Sequence, residues 1–225
     1  MKKWLYTLIP LAIIAGPLAL SFDQKVHFIS HIVPVLVATL SIGCLYLLWD
    51  IVVVKRGDWA FNDQFVGQAR IFNLPIGEIL FFLTVPYACL FLYEVGVAYI
   101  GRAMVLAWPV WASWVLAGIA IIAVVVYRRQ GYTVLALGSM AVFLVAQAMV
   151  FPELPGRSDF LFFMGSGLLV FVLFNGIYTA LPTIFYNQHA IWGVRVFSIP
   201  LEDFFYNIAY LGLSLLVYLL IGRGA

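Results

Sequence analysis

The sequence predicts an all-α integral membrane protein: seven transmembrane helices arranged as two parallel three-helix repeats joined by a linking helix. Three observations predict it. Of 225 residues, 65% are hydrophobic and only 10% are charged, against roughly 25% charged in a soluble domain. Apolar runs close to the roughly 20 residues that a spanning helix needs recur seven times. A polar phrase is also written twice just ahead of such a run, as RIFNLPIGEILFF at 70–82 and RVFSIPLEDFFYN at 195–207.

Taken in order, the spans fall at about 4–20, 32–54, 76–100, 106–127, 133–150, 160–182 and 204–221. The first follows Lys2 and Lys3 and has the outline of a signal peptide, but no clear small-x-small site follows it, so it is read as a helix. The first and fifth spans are the shortest. Two connections, 55–75 and 183–203, are longer and more polar than the rest. Cys44 and Cys89 both lie inside apolar runs and read as small core residues. Trp108, Trp111 and Trp114 open the fourth span, as expected of an interfacial belt.

Orientation follows from the basic residues. With the N-terminus in the cytoplasm, the inner side receives Lys2, Lys3, Lys55, Arg56, Arg70, Arg128, Arg129 and Arg195. The outer side receives Lys25, Arg102, Arg157 and Arg223. The expectation is a multi-pass protein of the cell membrane with the C-terminus outside. A formal net charge of +2 gives no basis for a nucleic-acid partner.

Laying 50–82 over 175–207 at a constant offset of 125 aligns Asn62 with Asn187, Arg70 with Arg195, Phe72 with Phe197 and Pro75 with Pro200. Asp50 falls on Asn175 and Glu78 on Asp203. The expected organisation is therefore a repeat at 1–102, a linking helix at 103–130 and a second repeat at 131–225. With an odd helix between them the repeats point the same way, and a shared site is expected at their interface.

Each phrase is expected to start a helix. Proline is tolerated in a first turn because its missing N–H would be unpaired there, and Asn73 and Ser198 are the expected caps. Glu78, Glu202 and Asp203 then sit in the first turns of the third and seventh helices. Asp50 and Asn175 lie about one turn inside the second and sixth, so up to four acids converge at one depth. The bland alternative is that they are satisfied caps, favoured by the helix dipole by about 0.3–1 kcal/mol, with Arg70 and Arg195 as ion-pair partners. Ionisable groups at membrane depth are costly and default to function, and these recur beside Phe81, Phe82, Phe204, Phe205 and Tyr206. Glu94 lies roughly 24 Å along the third helix from Glu78 by helical rise, too far to join that site, and is expected to be structural. His27, His31 and His189 lie on opposite sides and make no metal set. No strand–GxGxxG–helix unit for a flavin or nicotinamide is present.

The pair Pro75-Ile-Gly-Glu78-Ile-Leu-Phe-Phe82 and Pro200-Leu-Glu-Asp203-Phe-Phe-Tyr-Asn207 resembles the paired Pro-x-Glu-Glu/Asp motifs of the small membrane lycopene cyclases. Tyr93-Glu94, Trp59-x-Phe61-Asn62 and Asn175-Gly-Ile-x-Thr179 are similar features. The resemblance covers nearly the whole chain and matches the fused form, in which both halves are present. It departs from the family at Gly77, where two adjacent acids are usual. The resemblance implies a redox-neutral, proton-initiated cyclisation of the linear end groups of lycopene to β-ionone rings, giving γ-carotene and then β-carotene, with no cofactor consumed and no metal. It implies Glu78, Glu202 and Asp203 as catalytic acids. It also implies Asp50, Asn62, Phe82, Asn175, Asn187, Phe204, Tyr206 and Asn207 around a substrate held within membrane lipid. Arg70, Arg195, Pro75, Pro200 and Glu94 are expected to be structural or ion-paired. Association with other enzymes of carotenoid biosynthesis is left open. Two rivals share features: a carotenoid hydratase that quenches the same cation with water, and a small 3+1+3 solute transporter. A retinal protein is set aside because no lysine lies in the last helix.

Overall fold

The computed structural model describes residues 4–222. Lys2, Lys3 and Arg223, counted in the charge balance above, lie outside the described residues. The apolar runs form α1 (Leu5–Leu20), α2 (Ile32–Arg56), α4 (Ile76–Tyr99), α5 (Val110–Val126), α6 (Gly131–Val150), α7 (Ser158–Ala180) and α8 (Leu201–Gly222). A single turn, α3 (Asp63–Val66), interrupts the connection after α2. Five of these helices are long and apolar enough to cross a membrane; α1 and α5, at 16 and 17 residues, are shorter. The last helix begins directly after Pro200, ahead of its apolar run, with Glu202 and Asp203 in its first turn as expected.

The helices pack as two like units. In the first, α4 lies between α1 and α2; in the second, α8 lies between α6 and α7. The units meet through α2 against α8 and α4 against α7, and α5 packs on α6 at the periphery. Where apolar burial gives no preference between lipid and protein, close packing holds helices together, and small residues permit it. Gly43 of α2 lies so close to α4 that a Cβ there would stand 2.8 Å from the Phe82 carbonyl oxygen. Gly212 of α8 takes the Phe143 ring of α6 in the same manner.

The two polar connections are not the loops expected. Each carries a strand, β1 (Trp59–Phe61) and β4 (Ile184–Tyr186), and the two pair antiparallel across the halves. The register is Trp59 with Tyr186, Ala60 with Phe185 and Phe61 with Ile184. At the offset of 125, Ala60 corresponds to Phe185 itself, so a pseudo-two-fold axis passes through the middle of this pair. Asn62 and Asn187 obey the same axis. The Asn62 backbone N–H donates to the Thr183 carbonyl and its amide to the Pro182 carbonyl at 2.8 Å. The Asn187 N–H donates to the Asp58 carbonyl and its amide to the Gly57 carbonyl at 3.1 Å. Each asparagine ties down the other half.

Each duplicated phrase is a β-hairpin that runs directly into its helix, as expected, but without the expected caps. β2 (Arg70–Ile71) pairs with β3 (Leu74–Pro75), and β5 (Arg195–Val196) pairs with β6 (Ile199–Pro200). Phe72 and Asn73 take φ of 49° and 67°, and Phe197 takes 55°. Positive φ is what tight hairpin turns require. It puts Asn73 in a turn and removes it from the capping position. The Ser198 hydroxyl bonds Thr179 at 2.7 Å instead of capping α8. The expected ion pairs are also redirected. Arg70 donates to the Asn73 carbonyl and pairs with Asp63, and Arg195 donates to the Ser198 carbonyl, so each arginine closes its own hairpin. Pro75, extended at φ −61°, ψ 149°, ends its strand and launches α4.

Candidate active site

Each hairpin delivers the first turn of a helix to the centre of the bundle. Glu78 and Asp203 therefore arrive at the same end and on the same axis. They share a cavity of about 70 Å3 with Asp50 and Asn175, which come from the ends of α2 and α7. All three acids are buried. Half of the chain's 12 tyrosines also line it: Tyr6, Tyr132, Tyr178, Tyr186, Tyr206 and Tyr210. Trp59, Phe81, Phe82, Phe171, Ile184 and Asn207 complete the wall.

The acids are held differently. Asp203 is a saturated acceptor: Tyr132 Oη donates to Oδ1 at 2.5 Å, and Asn175 Nδ2 and Tyr186 Oη each donate to Oδ2 at 2.9 Å. Three donors thus converge on this one carboxyl. Burial and the neighbouring Asp203 push the Tyr186 phenol, on β4, well above its ordinary value, which keeps it a donor. Glu78 accepts from Tyr6 Oη, and Asp50 accepts from Tyr206 Oη at 3.3 Å. Asp50 and Glu78 also face each other closely enough to interact directly. The first half thus presents a carboxyl pair with few donors, and the second presents one carboxyl with many.

Several expected site residues stand elsewhere. Glu202 is fully buried but points away from the cavity, accepting from Thr133 Oγ1 at 2.9 Å and from the Trp192 N–H at 2.5 Å. Phe204 stacks edge-on against Phe171 behind the wall. Asn62 and Asn187 sit at the crossed strands, outside the cavity. Phe82, Asn175, Tyr206 and Asn207 do line it. Glu94 lies at the opposite end, accepting from Tyr218 Oη at 2.7 Å with His31 4.0 Å away. There Tyr93, the repeat counterpart of Tyr218, donates to Asp159 at 2.8 Å.

Gly77 explains the missing acid. A Cβ there would stand 2.6 Å from the Tyr6 carbonyl oxygen and 2.6 Å from its ring. The position that holds Glu202 in the second half is occupied in the first by the start of α1. Tyr6, Tyr132, Tyr178, Tyr186 and Tyr210 were the tyrosines that sequence reasoning missed. Their signal was faint: Tyr6 and Tyr132 open the first helices of the two repeats, one residue off the offset of 125.

The geometry defines a class, an acid–base chamber built on the axis of a duplicated helical unit. The family model described as Lycopene cyclase matches residues 3–96 and 129–221, once over each unit. The chain belongs to the lycopene cyclase family. No curated protein and no solved structure matches it.

Proposed function

We propose that the chain is a lycopene β-cyclase that works by proton addition and return. The observation that carries this is the chamber of three buried carboxyls, drawn from both halves and walled by aromatic rings. Two carboxyls in contact hold one proton between them, as in other paired-acid sites. The Asp50–Glu78 pair is accordingly the donor, and Glu78, at the head of α4, delivers the proton to the terminal double bond of lycopene. The proton adds to one alkene carbon and leaves a tertiary cation on the other. The π electrons of the next end-group double bond then form the ring bond and move the positive charge along. Loss of a proton from the ring carbon that has just been bonded gives the β-ionone double bond. Asp203, held by three hydrogen-bond donors, takes that proton and returns it across the chamber to the Asp50–Glu78 pair before the next turnover, so protons balance and no electrons enter or leave. Phe82, Tyr206 and Tyr210 line the chamber and supply the aromatic rings that steady the cation.

The reading extends to setting. All seven helices cross the cell membrane, with the N-terminus and both hairpins on the cytoplasmic side. The substrate arrives from the lipid. Epitope accessibility on intact and opened cells checks the sidedness.

The test is expression in a lycopene-accumulating bacterium with pigment analysis. β-Carotene, with γ-carotene as the earlier product, is expected; unchanged lycopene beside well-inserted protein would sink the proposal, and an ε-ring product would relocate the base. The hydratase reading retains one observation. The buried Asn207 amide donor finds no acceptor among the described residues, and such a donor suits a water held against a cation. Hydroxylated acyclic product would favour it.

A further inference from the structure

A second, narrower cavity adjoins the chamber and shares Phe81, Phe171, Asn175 and Asn207 with it. From there it continues between α4 and α7, past Val85 and Val170, to Cys89 and Gly167. Phe81 to Cys89 is eight residues of α4, about 12 Å of helical rise. Beyond the two asparagines at its mouth, its walls are apolar. Its free space is about 10 Å3, so an occupant enters by turning aside half-buried rings, not by filling a void.

The pseudo-two-fold axis predicts a twin passage between α8 and α2. It is plugged. At the offset of 125, Val85 becomes Tyr210, Asn207 becomes Phe82 and Gly167 becomes Ile42. The Tyr210 ring stands 4.6 Å from Tyr46 and 5.3 Å from Phe82, and its hydroxyl donates to the Phe82 carbonyl at 2.7 Å. Gly43 draws α2 against α4 at this level, and its Cβ position lies 3.8 Å from the Tyr210 hydroxyl; its counterpart on α7 is Leu168. One passage is apolar and narrow, walled by side chains that can turn; the other is filled by the rings of Tyr46, Phe82 and Tyr210.

We infer that the slot between α4 and α7 receives the polyene chain behind the reacting end group, so that lycopene threads end-first into the chamber through the second repeat alone. The inference rests on the cyclase reading above. With a single passage, only one end group reaches the acids at a time. The half-cyclised product must then leave, turn and re-enter before the second ring forms.

The test transplants the plug. Val85→Tyr and Gly167→Ile place in the slot the residues that its twin carries; at position 167 the new Cβ would stand 2.9 Å from the Leu211 side chain, which must turn to admit it. The variants are assayed in phosphatidylcholine vesicles with lycopene and with a short acyclic terpenoid that carries the same terminal alkene. The expected result is that lycopene turnover falls about tenfold or more, the scale of overpacking a filled site, while the short substrate keeps its rate. Unchanged lycopene turnover would overturn the inference. So would equal loss on both substrates in variants that unfold at the wild-type temperature, because the slot would then be part of the chamber. A wild-type chain that cyclises neither substrate would refute the reaction and leave the slot to a separate readout. Lycopene should slow modification of the buried Cys89 by a lipid-soluble thiol reagent and leave the exposed Cys44 unchanged. Equal rates at Cys89 with and without lycopene would refute the slot whatever the chemistry.

Discussion

The two halves share a frame and differ in what it carries. Both launch a helix from an arginine-closed hairpin, both tie the partner with an asparagine, and both aim a first-turn carboxyl at one chamber. The first half surrounds its carboxyl with another acid and a single tyrosine; the second surrounds its own with three donors. The repeat sets the two acids at equivalent positions, and the residues that differ between the copies set their surroundings. In the proposed reaction that difference separates the proton donor from the proton acceptor.

The comparison breaks first at the acids. Glu78→Gln and Asp203→Asn should each lower cyclisation by about 10²–10⁴-fold, the usual reach of a general acid or base, with normal insertion and pigment binding. If both substitutions left turnover intact, the division of labour would be wrong. Next comes Gly77→Glu, which rebuilds the second half's acid pair in the first. It should not add an acid. The side chain would meet the Tyr6 backbone, and the strain of overpacking, about 1–3 kcal/mol, should appear as a lower unfolding temperature in detergent.

Glu202→Gln separates the neighbouring acids of the second half. Glu202 joins α8 to Thr133 and to the Trp192 backbone. Its loss should cost about 1–3 kcal/mol of stability and leave the turnover of folded protein close to that of the parent, in contrast to Asp203→Asn. A collapse of turnover at full stability would return Glu202 to the chemistry. The smallest effect is the most symmetrical. Asn62→Ala and Asn187→Ala should each lower stability by about 0.5–1.5 kcal/mol, by similar amounts. Clearly unequal costs, read by thermal unfolding, would show that the axis is geometric only.

Much of this was legible in the sequence, and what escaped did so for physical reasons. Helix positions follow from apolar length, and the repeat from Asn62, Arg70, Phe72 and Pro75. Glu78 and Asp203 were found because charge in an apolar chain stands out. Strands β1 and β4 left no trace, since three residues show no usable alternation and their pairing spans 125 positions. The hairpins read as helix caps because Asn and Ser suit both settings; positive φ at Asn73 and the bond from Ser198 to Thr179 decide against it. Glu202 and Asp203 are adjacent in sequence, but about 100° apart around a helix, so one reaches the chamber and the other its wall. Tyr6 and Tyr132 were hidden because a tyrosine in an apolar run looks like packing until its hydroxyl has a partner.

The linking helix α5 lends no side chain to either cavity and packs chiefly on α6. Its contribution is direction. It carries the chain from the far end of the bundle back to the hairpin end, so that the second copy starts where the first did. Without that return stroke a tandem copy would be threaded head to tail, with Asp203 at the wrong end and β4 out of reach of β1. Two severed copies would need no such segment, because each would thread independently. The helix is the toll of making one polypeptide from two, and its sequence has only to stay apolar and of the right length.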